Sequence, residues 1–178
     1  VAEQGYTKPT DVQTDGIPAI LSGRDIHAGA QTGTGKTAAF ALPILHKLSS
    51  VPFGANAPRA LILAPTRELA NQIAVEIRML ARFTRVRVGT VYGGVSMRNQ
   101  ANELRRNPEI VVGCPGRVLD MLQQGVLKLG AVGSLVLDEA DHMFDMGFLP
   151  DVKRILASLP ERRQNMLFSA TMPPEIRK

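Results

Sequence analysis

The sequence contains few of the residues that disulfides and metal clusters need. It has one cysteine, Cys114, and three histidines scattered along 178 residues. A single cysteine excludes an internal disulfide, and the scattered histidines form no recognisable set of metal ligands. This cysteine usage favours a cytoplasmic location.

Long apolar runs, targeting signals and repeats are also missing. No apolar run approaches the ~18 residues that a membrane-spanning helix needs. The first ten residues, VAEQGYTKPT, lack the basic and then apolar pattern of a signal peptide. The most loop-like stretch, residues 51–58, is too short to separate two domains. The length therefore predicts one compact domain with a substantial core.

The charge composition gives a weak indication of the partner. The formal net charge is +5, which favours an anionic partner such as nucleic acid. Many basic proteins bind no nucleic acid, so charge alone decides nothing.

Short apolar runs alternate with stretches of helical periodicity, which predicts an α/β fold. Several of the runs are almost wholly apolar, as in strands that are buried on both faces. This alternation predicts a mostly parallel sheet with helices on both faces, and ligand sites at the carboxyl ends of its strands. The predicted strands are residues 25–29, 59–64, 86–92, 109–114, 134–138 and 165–170.

Apolar residues at helical spacing predict helices between these strands. One set is Leu69, Ile73, Ile77 and Leu80, and another is Val152, Ile155, Leu156 and Leu159. Ser96 is a predicted N-cap for a helix that continues to about residue 106.

A glycine-rich segment, AQTGTGKT (Ala30–Thr37), follows the first predicted strand and precedes a predicted helix. Gly33 and Gly35 let the backbone turn its N–H groups inward. Lys36 suits the β- and γ-phosphates of a nucleotide, and the Thr37 hydroxyl suits Mg²⁺. The strict phosphate-loop pattern has glycine where this chain has Ala30. The alternative interpretation is a flexible Gly/Thr loop.

The apolar run in SLVLDEAD ends abruptly in carboxylates. A buried strand that ends in an acid commonly accompanies a phosphate loop. Asp138 is therefore a predicted Mg²⁺ ligand and Glu139 a predicted general base for the attacking water. The alternative is a solvated acidic turn, which is less expected directly after a fully apolar strand.

The ordered set of motifs resembles the N-terminal RecA-like domain of the DEAD-box ATP-dependent RNA helicases. The resemblance covers nearly the whole chain, and Ala30 is usual in this family's phosphate loop. Three longer phrases are most similar to the bacterial RhlE-like branch: AQTGTGKTAAFALP, DMGF and RQNMLFSATMP. The family motifs are GYTKPTDVQ (5–13), AQTGTGKT (30–37), PTRELA (65–70), GG (93–94), CPGR (114–117), DEAD (138–141) and SAT (169–171).

The resemblance implies a role for each matching residue. Gln13 is expected to bind the adenine edge, and Thr10 to tie its segment to the phosphate loop. The expected phosphate-binding residues are Gln31, Thr32, Gly33, Thr34, Gly35, Lys36 and Thr37. The expected RNA-binding residues are Pro65, Thr66, Arg67, Gly93, Gly94, Cys114, Pro115, Gly116 and Arg117. The residues expected to couple hydrolysis to RNA binding are Asp141, Ser169, Ala170 and Thr171.

The expected RNA contacts involve sugar and phosphate rather than base edges, so little sequence preference should follow. Cys114 stands where the family usually has threonine, which removes a hydroxyl that binds phosphate. For Arg67 and Arg117 the alternative is a solvated surface charge.

The remaining conspicuous residues are interpreted as structural. His27, His46 and His142 are expected in the core or on the surface, and Tyr6 near the base or in packing. The segment Met143, Phe144, Met146 and Phe148 is expected to pack, and Arg162 and Arg163 are expected to be solvated turn charges.

The resemblance implies an ATP-dependent RNA helicase, a hydrolase that uses ATP and Mg²⁺. Residues 1–178 then form one ATP-binding lobe, and the second RecA-like lobe, with its arginine finger, is expected to be absent from this chain. The lobe alone should bind nucleotide but hydrolyse it very slowly. Two rivals are a DNA-directed translocase and a non-enzymatic, nucleotide-gated interaction module.

Overall fold

The computed structural model describes residues 7–29, 33–52 and 56–171. The strands are β1 (Ile26–Gly29), β2 (Ala60–Leu63), β3 (Val88–Val91), β4 (Ile110–Gly113), β5 (Ser134–Asp138) and β6 (Gln164–Ser169). The helices are α1 (Asp11–Leu21), α2 (Lys36–Ser49), α3 (Arg67–Leu80), α4 (Met97–Leu104), α5 (Pro115–Gln123), α6 (Ala140–Asp145) and α7 (Leu149–Ala157).

The strands form one six-stranded sheet in the order β1-β6-β5-β2-β4-β3. Every pairing in the described ranges is parallel. The six predicted strands and the α/β fold are confirmed. Most of the strands are one or two residues shorter than the predicted runs at one or both ends, although Ala64 and Cys114 still donate backbone hydrogen bonds to Gly113 and Val91 of the neighbouring strands. Strand β6 instead begins and ends one residue earlier than predicted.

The two faces of the sheet have separate cores, because side chains alternate along each strand. In β2, Ala60 and Ile62 pack with residues of α1, α2 and α3. Leu61 and Leu63 point the other way and pack with residues of α4, α5, α6 and α7. Helices therefore cover both faces, as the apolar runs predicted.

The helical predictions are confirmed with small changes at the ends. In α3, Ile73 and Ile77 are buried, while Leu69 and Leu80 pack partly buried against the same core. Helix α4 begins after Ser96, whose Oγ accepts a hydrogen bond from the Asn99 N–H, and it ends at Leu104, two residues short of the prediction. No helix in the described ranges is long and apolar enough to cross a membrane.

Two structural predictions are wrong. Arg163 is half-buried rather than solvated, because its guanidinium donates to Asn165 Oδ1 at 2.9 Å and to the Pro160 carbonyl at 2.7 Å. Met146 does not pack in the core, since 47% of it is exposed in the turn after α6. The three histidines are exposed, and Tyr6 lies outside the described residues.

Candidate functional site

Three motifs that are distant in sequence meet at the carboxyl edge of the sheet. The phosphate loop follows β1. The segment Ser169–Thr171 starts at the last residue of β6, and the acidic segment Asp138–Asp141 starts at the last residue of β5. The strands β1, β6 and β5 are neighbours in the sheet. The strand order therefore places the SAT segment between the phosphate loop and the acidic segment.

The described part of the phosphate loop has the backbone that its glycines predict. Gly33 and Gly35 have φ angles of +84° and +77°, in the left-handed region that favours glycine. Gly35 is the N-cap of α2, and Lys36 is the first helical residue. The loop thus leads into a helix N-terminus, whose unpaired N–H groups favour an anion. Ala30, Gln31 and Thr32 lie outside the described residues.

Lys36 forms a buried ion pair with the acidic segment. Its ammonium lies 2.8 Å from Asp138 Oδ1 and 3.3 Å from Glu139 Oε1. Asp138 is fully buried and Lys36 is 4% exposed. Burial raises the pKa of the Asp138 carboxyl, and the nearby Lys36 ammonium opposes that rise.

Glu139 has an unusual backbone conformation for a residue with a side chain. Its φ and ψ are 52° and 53°, so it is left-handed where β5 ends and α6 begins. Such a conformation costs about 1–3 kcal/mol and is common at functional sites. The turn brings the Glu139 N–H to Asp138 Oδ1 at 3.1 Å and the Glu139 carboxylate to Lys36. His142 Nδ1 lies 3.5 Å from Glu139 Oε2.

The oxygens at this edge suit a hard divalent cation. Asp138 Oδ2 is buried and has no hydrogen-bond partner among the described residues. An unpartnered carboxylate oxygen of this kind is a suitable ligand for Mg²⁺, which binds few protein groups and keeps several waters. The described residues contain no group of three or more His, Cys, Asp or Glu that could hold a metal. Asp138 and Thr37 could therefore hold Mg²⁺ only with ligands from water or phosphate.

Gln13 and Thr10 lie against the phosphate loop. The Gln13 amide donates from Nε2 to the Gly35 carbonyl at 3.1 Å, and its Oε1 accepts from the Thr10 N–H at 3.1 Å. Gln13 is 5% exposed. A primary amide retains one further N–H and one acceptor site after these bonds. Gln13 thus ties its segment to the loop, in addition to the adenine contact expected of it.

Asp141 connects the acidic segment to the end of β6. Its N–H donates to Ser169 Oγ at 3.1 Å, and its Oδ2 accepts from the Thr171 N–H at 2.9 Å and the Thr171 hydroxyl at 3.0 Å. Burial alone would raise the pKa of Asp141, but the hydrogen bonds from Thr171 and Ser169 outweigh it and lower the pKa. The contacts expected from the family resemblance are thus present. Ala170 is exposed between Ser169 and Thr171.

The expected RNA-binding segments lie on the other half of the same edge. They follow β2, β3 and β4, which are neighbours in the order β2-β4-β3. Arg67 Nη1 donates to the Gly94 carbonyl at 3.2 Å, and its guanidinium lies 5.5 Å from the centre of the Tyr92 ring. Thr66 is the N-cap of α3, and its hydroxyl accepts from the Leu69 N–H at 3.2 Å. Gly93 and Gly94 are exposed beside them.

Arg117 is not a solvated surface charge. Its side chain is 15% exposed. Nη1 donates to the Val95 carbonyl at 3.2 Å and to Gln100 Oε1 at 3.1 Å. Tyr92, Val95 and Gln100 support the two arginines, and no sequence motif predicted them. The only available signal was position: Tyr92 directly precedes Gly93, and Gln100 lies one turn after the Ser96 cap.

Several of the expected RNA-binding side chains are not at the surface. Pro65, Cys114 and Pro115 are buried, and Gly116 is half-buried. Burial, with a smaller effect of Glu68, raises the pKa of the Cys114 thiol to about 11, so the thiol is neutral at pH 7. The Cys114 N–H donates to the Val91 carbonyl at 2.9 Å. Cys114 therefore anchors the loop and offers no exposed side chain to a ligand.

Comparison with known proteins identifies the family. A sequence model of the DEAD/DEAH box helicase family matches residues 10–178. The chain belongs to this family. Its fold agrees with two solved structures of about twice its length. It aligns with a hypothetical ATP-dependent RNA helicase from Sulfolobus tokodaii at TM-score 0.90 and 44% identity, covering 99% of this chain and 50% of that one. A DEAD box protein from Methanococcus jannaschii aligns at TM-score 0.92 and 43% identity, covering 99% and 47%.

Curated relatives extend well beyond the matched region. The chain is 49% identical to the ATP-dependent RNA helicase CshA of Listeria monocytogenes, over 100% of this chain and 34% of that protein. It is 49% identical to the RNA helicase CrhR of Synechocystis, over 100% and 35%. It is 50% identical to the ATP-dependent RNA helicase DeaD of Escherichia coli, over 98% and 27%. The chain thus spans about a third of their length, and the RhlE-like branch stays a prediction.

Proposed function

We propose that this chain is the nucleotide-binding lobe of an ATP-dependent RNA helicase that couples ATP hydrolysis to local separation of short duplexes. The observation that carries the proposal is the convergence of Lys36, Asp138 and Glu139, with the Lys36 ammonium within 3.3 Å of both carboxylates. This cluster lies beside a glycine-rich loop at a helix N-terminus. The names of the relatives and the family motifs support the same assignment.

The residues of this chain bind and orient the nucleotide. Gln13 holds the adenine edge through its remaining donor and acceptor, and the loop 30–37 surrounds the phosphates. The Lys36 ammonium leaves the carboxylates and pairs with the β- and γ-phosphates, which carry more negative charge. Thr37 and Asp138 would hold Mg²⁺, which would neutralise charge on the phosphates.

Glu139 orients the attacking water and accepts its proton. The water oxygen bonds to the γ-phosphorus while the bond from that phosphorus to the β–γ bridging oxygen breaks, which releases ADP and phosphate. The left-handed backbone of Glu139 directs its carboxylate toward Lys36 and the phosphate loop. The strained backbone conformation of Glu139 therefore positions its side chain.

The two halves of the sheet edge divide the work. Asp141, Ser169 and Thr171 connect the acidic segment to β6, and we infer that they transmit the state of the nucleotide. The loops after β2, β3 and β4 contact the sugar-phosphate backbone of RNA. A second RecA-like lobe of the same full-length protein completes the site and supplies an arginine finger, which is worth roughly 10³–10⁵ in rate.

Glu139→Gln in the full-length protein tests this proposal. ATP affinity should stay within about twofold, while RNA-stimulated turnover should fall by roughly 10²-fold or more, because the amide cannot accept a proton. Asp145→Asn, an exposed acid on α6, is the matched control and should leave both unchanged. Unchanged turnover in the Glu139 variant would assign the base to another residue.

Competition binding separates RNA from DNA as the partner. Single-stranded RNA and DNA of the same sequence are compared in the presence of a non-hydrolysable ATP analogue. RNA should bind more tightly, because only RNA offers 2′-hydroxyl groups to the loops. Equal affinity would favour the DNA-directed translocase, and absence of any ATPase activity would favour the interaction module.

A further inference from the structure

The amino-terminal ends of the strands, opposite the motif loops, are surrounded by many arginines. Residues 78–106 contain seven of the 21 basic residues of the chain, all of them arginine, and one acid, Glu103. Several of these arginines surround the start of β3, where residues 84–87 enter the strand. The nucleotide and RNA motifs follow the carboxyl ends of the strands, so they lie at the opposite end of the sheet.

A cavity of about 360 Å³ lies among these arginines. Its charged lining consists of Arg78, Arg82, Arg87, Arg106 and Glu103. Glu103 Oε1 is 3.2 Å from Arg78, and Glu109 Oε1 is 3.1 Å from Arg87. Among the described residues no carboxylate lies within 4.0 Å of the Arg106 guanidinium.

Two of these guanidinium groups make further contacts with the protein. Arg78 Nη2 donates to the Val88 carbonyl at 2.9 Å, and Arg82 lies 4.5 Å from the centre of the Phe83 ring. The lining has four guanidinium groups and the Glu103 carboxylate, and Glu109 pairs with Arg87 from outside the lining, so positive charge is still in excess. A cluster of guanidinium groups favours ligands with several carboxylates or phosphates.

An apolar stripe runs beside the cavity along the last turns of α3 and the turn that follows it. Val75, Met79 and Phe83 are 46%, 50% and 79% exposed. Val75 and Met79 lie one turn apart on one side of the helix with Arg78 beside them, and Arg82 and Phe83 follow in the turn after the helix ends at Leu80. We call these residues together with the cavity the arginine surface: Val75, Arg78, Met79, Arg82, Phe83, Arg87 and Arg106.

We propose that the arginine surface docks an acidic amphipathic helix of a partner protein. Carboxylates of the partner enter the cavity, and its apolar side chains cover Val75, Met79 and Phe83. The apolar stripe favours a protein over RNA, because bases stack on aromatic rings and two of these three side chains are aliphatic. Flexible methionine is common on surfaces that receive apolar helices. The partner binds at the amino-terminal end of the strands, away from the nucleotide.

The experiment measures fluorescence anisotropy of a synthetic helical peptide. The peptide carries glutamate and leucine in two adjacent stripes at a spacing of four residues, and a matched peptide has glutamine in place of each glutamate. The acidic peptide should bind with a dissociation constant on the order of 10 µM, and the glutamine peptide at least about tenfold more weakly. Absence of binding, or equal binding of the two peptides, would overturn the proposal.

Variants locate the binding site. Arg82→Glu with Arg106→Glu should weaken binding of the acidic peptide by roughly tenfold or more, and Met79→Ser with Phe83→Ser should also weaken it. The matched control is Arg154→Glu with Arg162→Glu, which reverses two exposed charges outside the arginine surface and should change affinity by less than about twofold. If the control variant loses as much affinity for the peptide, the effect comes from the net charge of the protein and not from the arginine surface, which would overturn the proposal.

Two further measurements keep the outcome decisive. Every variant should bind fluorescent ADP as the parent protein does, which reports an intact fold. A single-stranded oligouridylate is also titrated. If the Arg82/Arg106 variant loses affinity for that RNA and keeps affinity for the peptide, the arginine surface belongs to RNA and the proposal fails.

Discussion

The Lys36 ammonium and Asp138 Oδ1 lie 2.8 Å apart in a site where Asp138 has no exposed surface. The pair joins the start of α2 to the end of β5, two elements that are far apart in the sequence. In the absence of nucleotide each ion neutralises the other. Removal of one partner therefore leaves a buried charge, which is more unfavourable than removal of both.

The pair predicts a non-additive effect on stability. Lys36→Ala should lower the free energy of unfolding by about 3 kcal/mol, because Asp138 then stays buried without its counter-ion. The double variant with Asp138→Asn should be more stable than Lys36→Ala alone. Urea titration without nucleotide measures both, with Lys153→Ala, an exposed lysine of α7, as the control. Strictly additive losses would show that the two side chains do not interact.

Gly35→Ala should disrupt the contact between α1 and the phosphate loop. A Cβ at Gly35 would lie 2.5 Å from Gln13 Nε2 and 3.2 Å from Thr10 Oγ1. Gly33→Ala is the matched control, because Gly33 also has a positive φ but a Cβ there would meet nothing within 4 Å. We expect the Gly35 variant to lose about 1–2 kcal/mol more stability than the control, by thermal unfolding. The double variant Gly35→Ala with Gln13→Ala should lose less stability than the sum of the two single losses. If it does not, the steric explanation is wrong.

Asp141→Asn should weaken the coupling of RNA binding to hydrolysis. The amide cannot accept hydrogen bonds at Oδ2 as strongly as the carboxylate that now binds the Thr171 N–H and hydroxyl. In the full-length protein, stimulation of ATPase activity by RNA should fall by roughly tenfold, while affinity for ADP stays within about twofold. The exposed Asp145→Asn change on the same helix is the control. A parallel loss of ADP affinity would assign Asp141 to nucleotide binding.

Asp25 should contribute its full stabilisation above about pH 4 and lose it progressively at lower pH. The Asn165 N–H donates to Asp25 Oδ1 at 2.8 Å and the Asn165 amide to Oδ2 at 3.1 Å. The backbone hydrogen bond is the main cause that lowers the pKa of Asp25 below 3.8. A carboxyl with a lowered pKa in the folded protein stabilises it above the unfolded pKa, and this contribution is lost as pH falls through the folded pKa.

The measurement is the midpoint of urea unfolding between about pH 3 and pH 6. Asp25→Asn should lower the midpoint at pH 6 and should leave a smaller decline toward pH 3 than the parent protein shows. Asp15→Asn, an exposed acid of α1, is the control. The same decline in the Asp25 variant and the parent would contradict the prediction.

The salt dependence of RNA binding should report the phosphate contacts. We expect a log–log slope of roughly −2 to −3 for the lobe, which corresponds to three or four contacts with a single strand. Arg67→Ala should reduce the magnitude of this slope by about 0.7. Arg117→Ala should do the same and also lower stability by about 1 kcal/mol, because its hydrogen bonds to Val95 and Gln100 are lost. Arg154→Ala is the control, and an unchanged slope for Arg67→Ala would remove that residue from the RNA interface.

The local parts of the molecule were predictable from the sequence. The apolar runs at 59–64 and 109–114 indicated where strands form, because short continuous apolar runs are typical of strands that are buried on both faces. The Ser96 cap and the spacing of Ile73 and Ile77 fixed helices for similarly local reasons. The glycine-rich loop and the acids after β5 indicated the chemistry, because those residue types at those positions suit phosphate and Mg²⁺.

The predictions that failed depend on the exact course of a turn. Arg163 was expected in solvent, yet it bonds to Pro160 and Asn165 where β6 begins. Met146 was expected to pack, yet the turn after α6 directs it outward. The attachment of the Gln13 amide to Gly35 likewise has no counterpart in the local sequence.

The amino-acid sequence by itself determined the elements and the kinds of chemistry, since backbone propensity, side-chain alternation and ligand preference act over a few residues. Only the tertiary structure decided which motifs work together. The order β1-β6-β5-β2-β4-β3 puts the phosphate loop, the acidic segment and the SAT segment on one half of the carboxyl end of the sheet and the proposed RNA-binding loops on the other, with Lys36 against Asp138 and Arg67 beside Gly94. This order depends on how the two apolar faces of every strand are covered at once, which is a property of the whole chain.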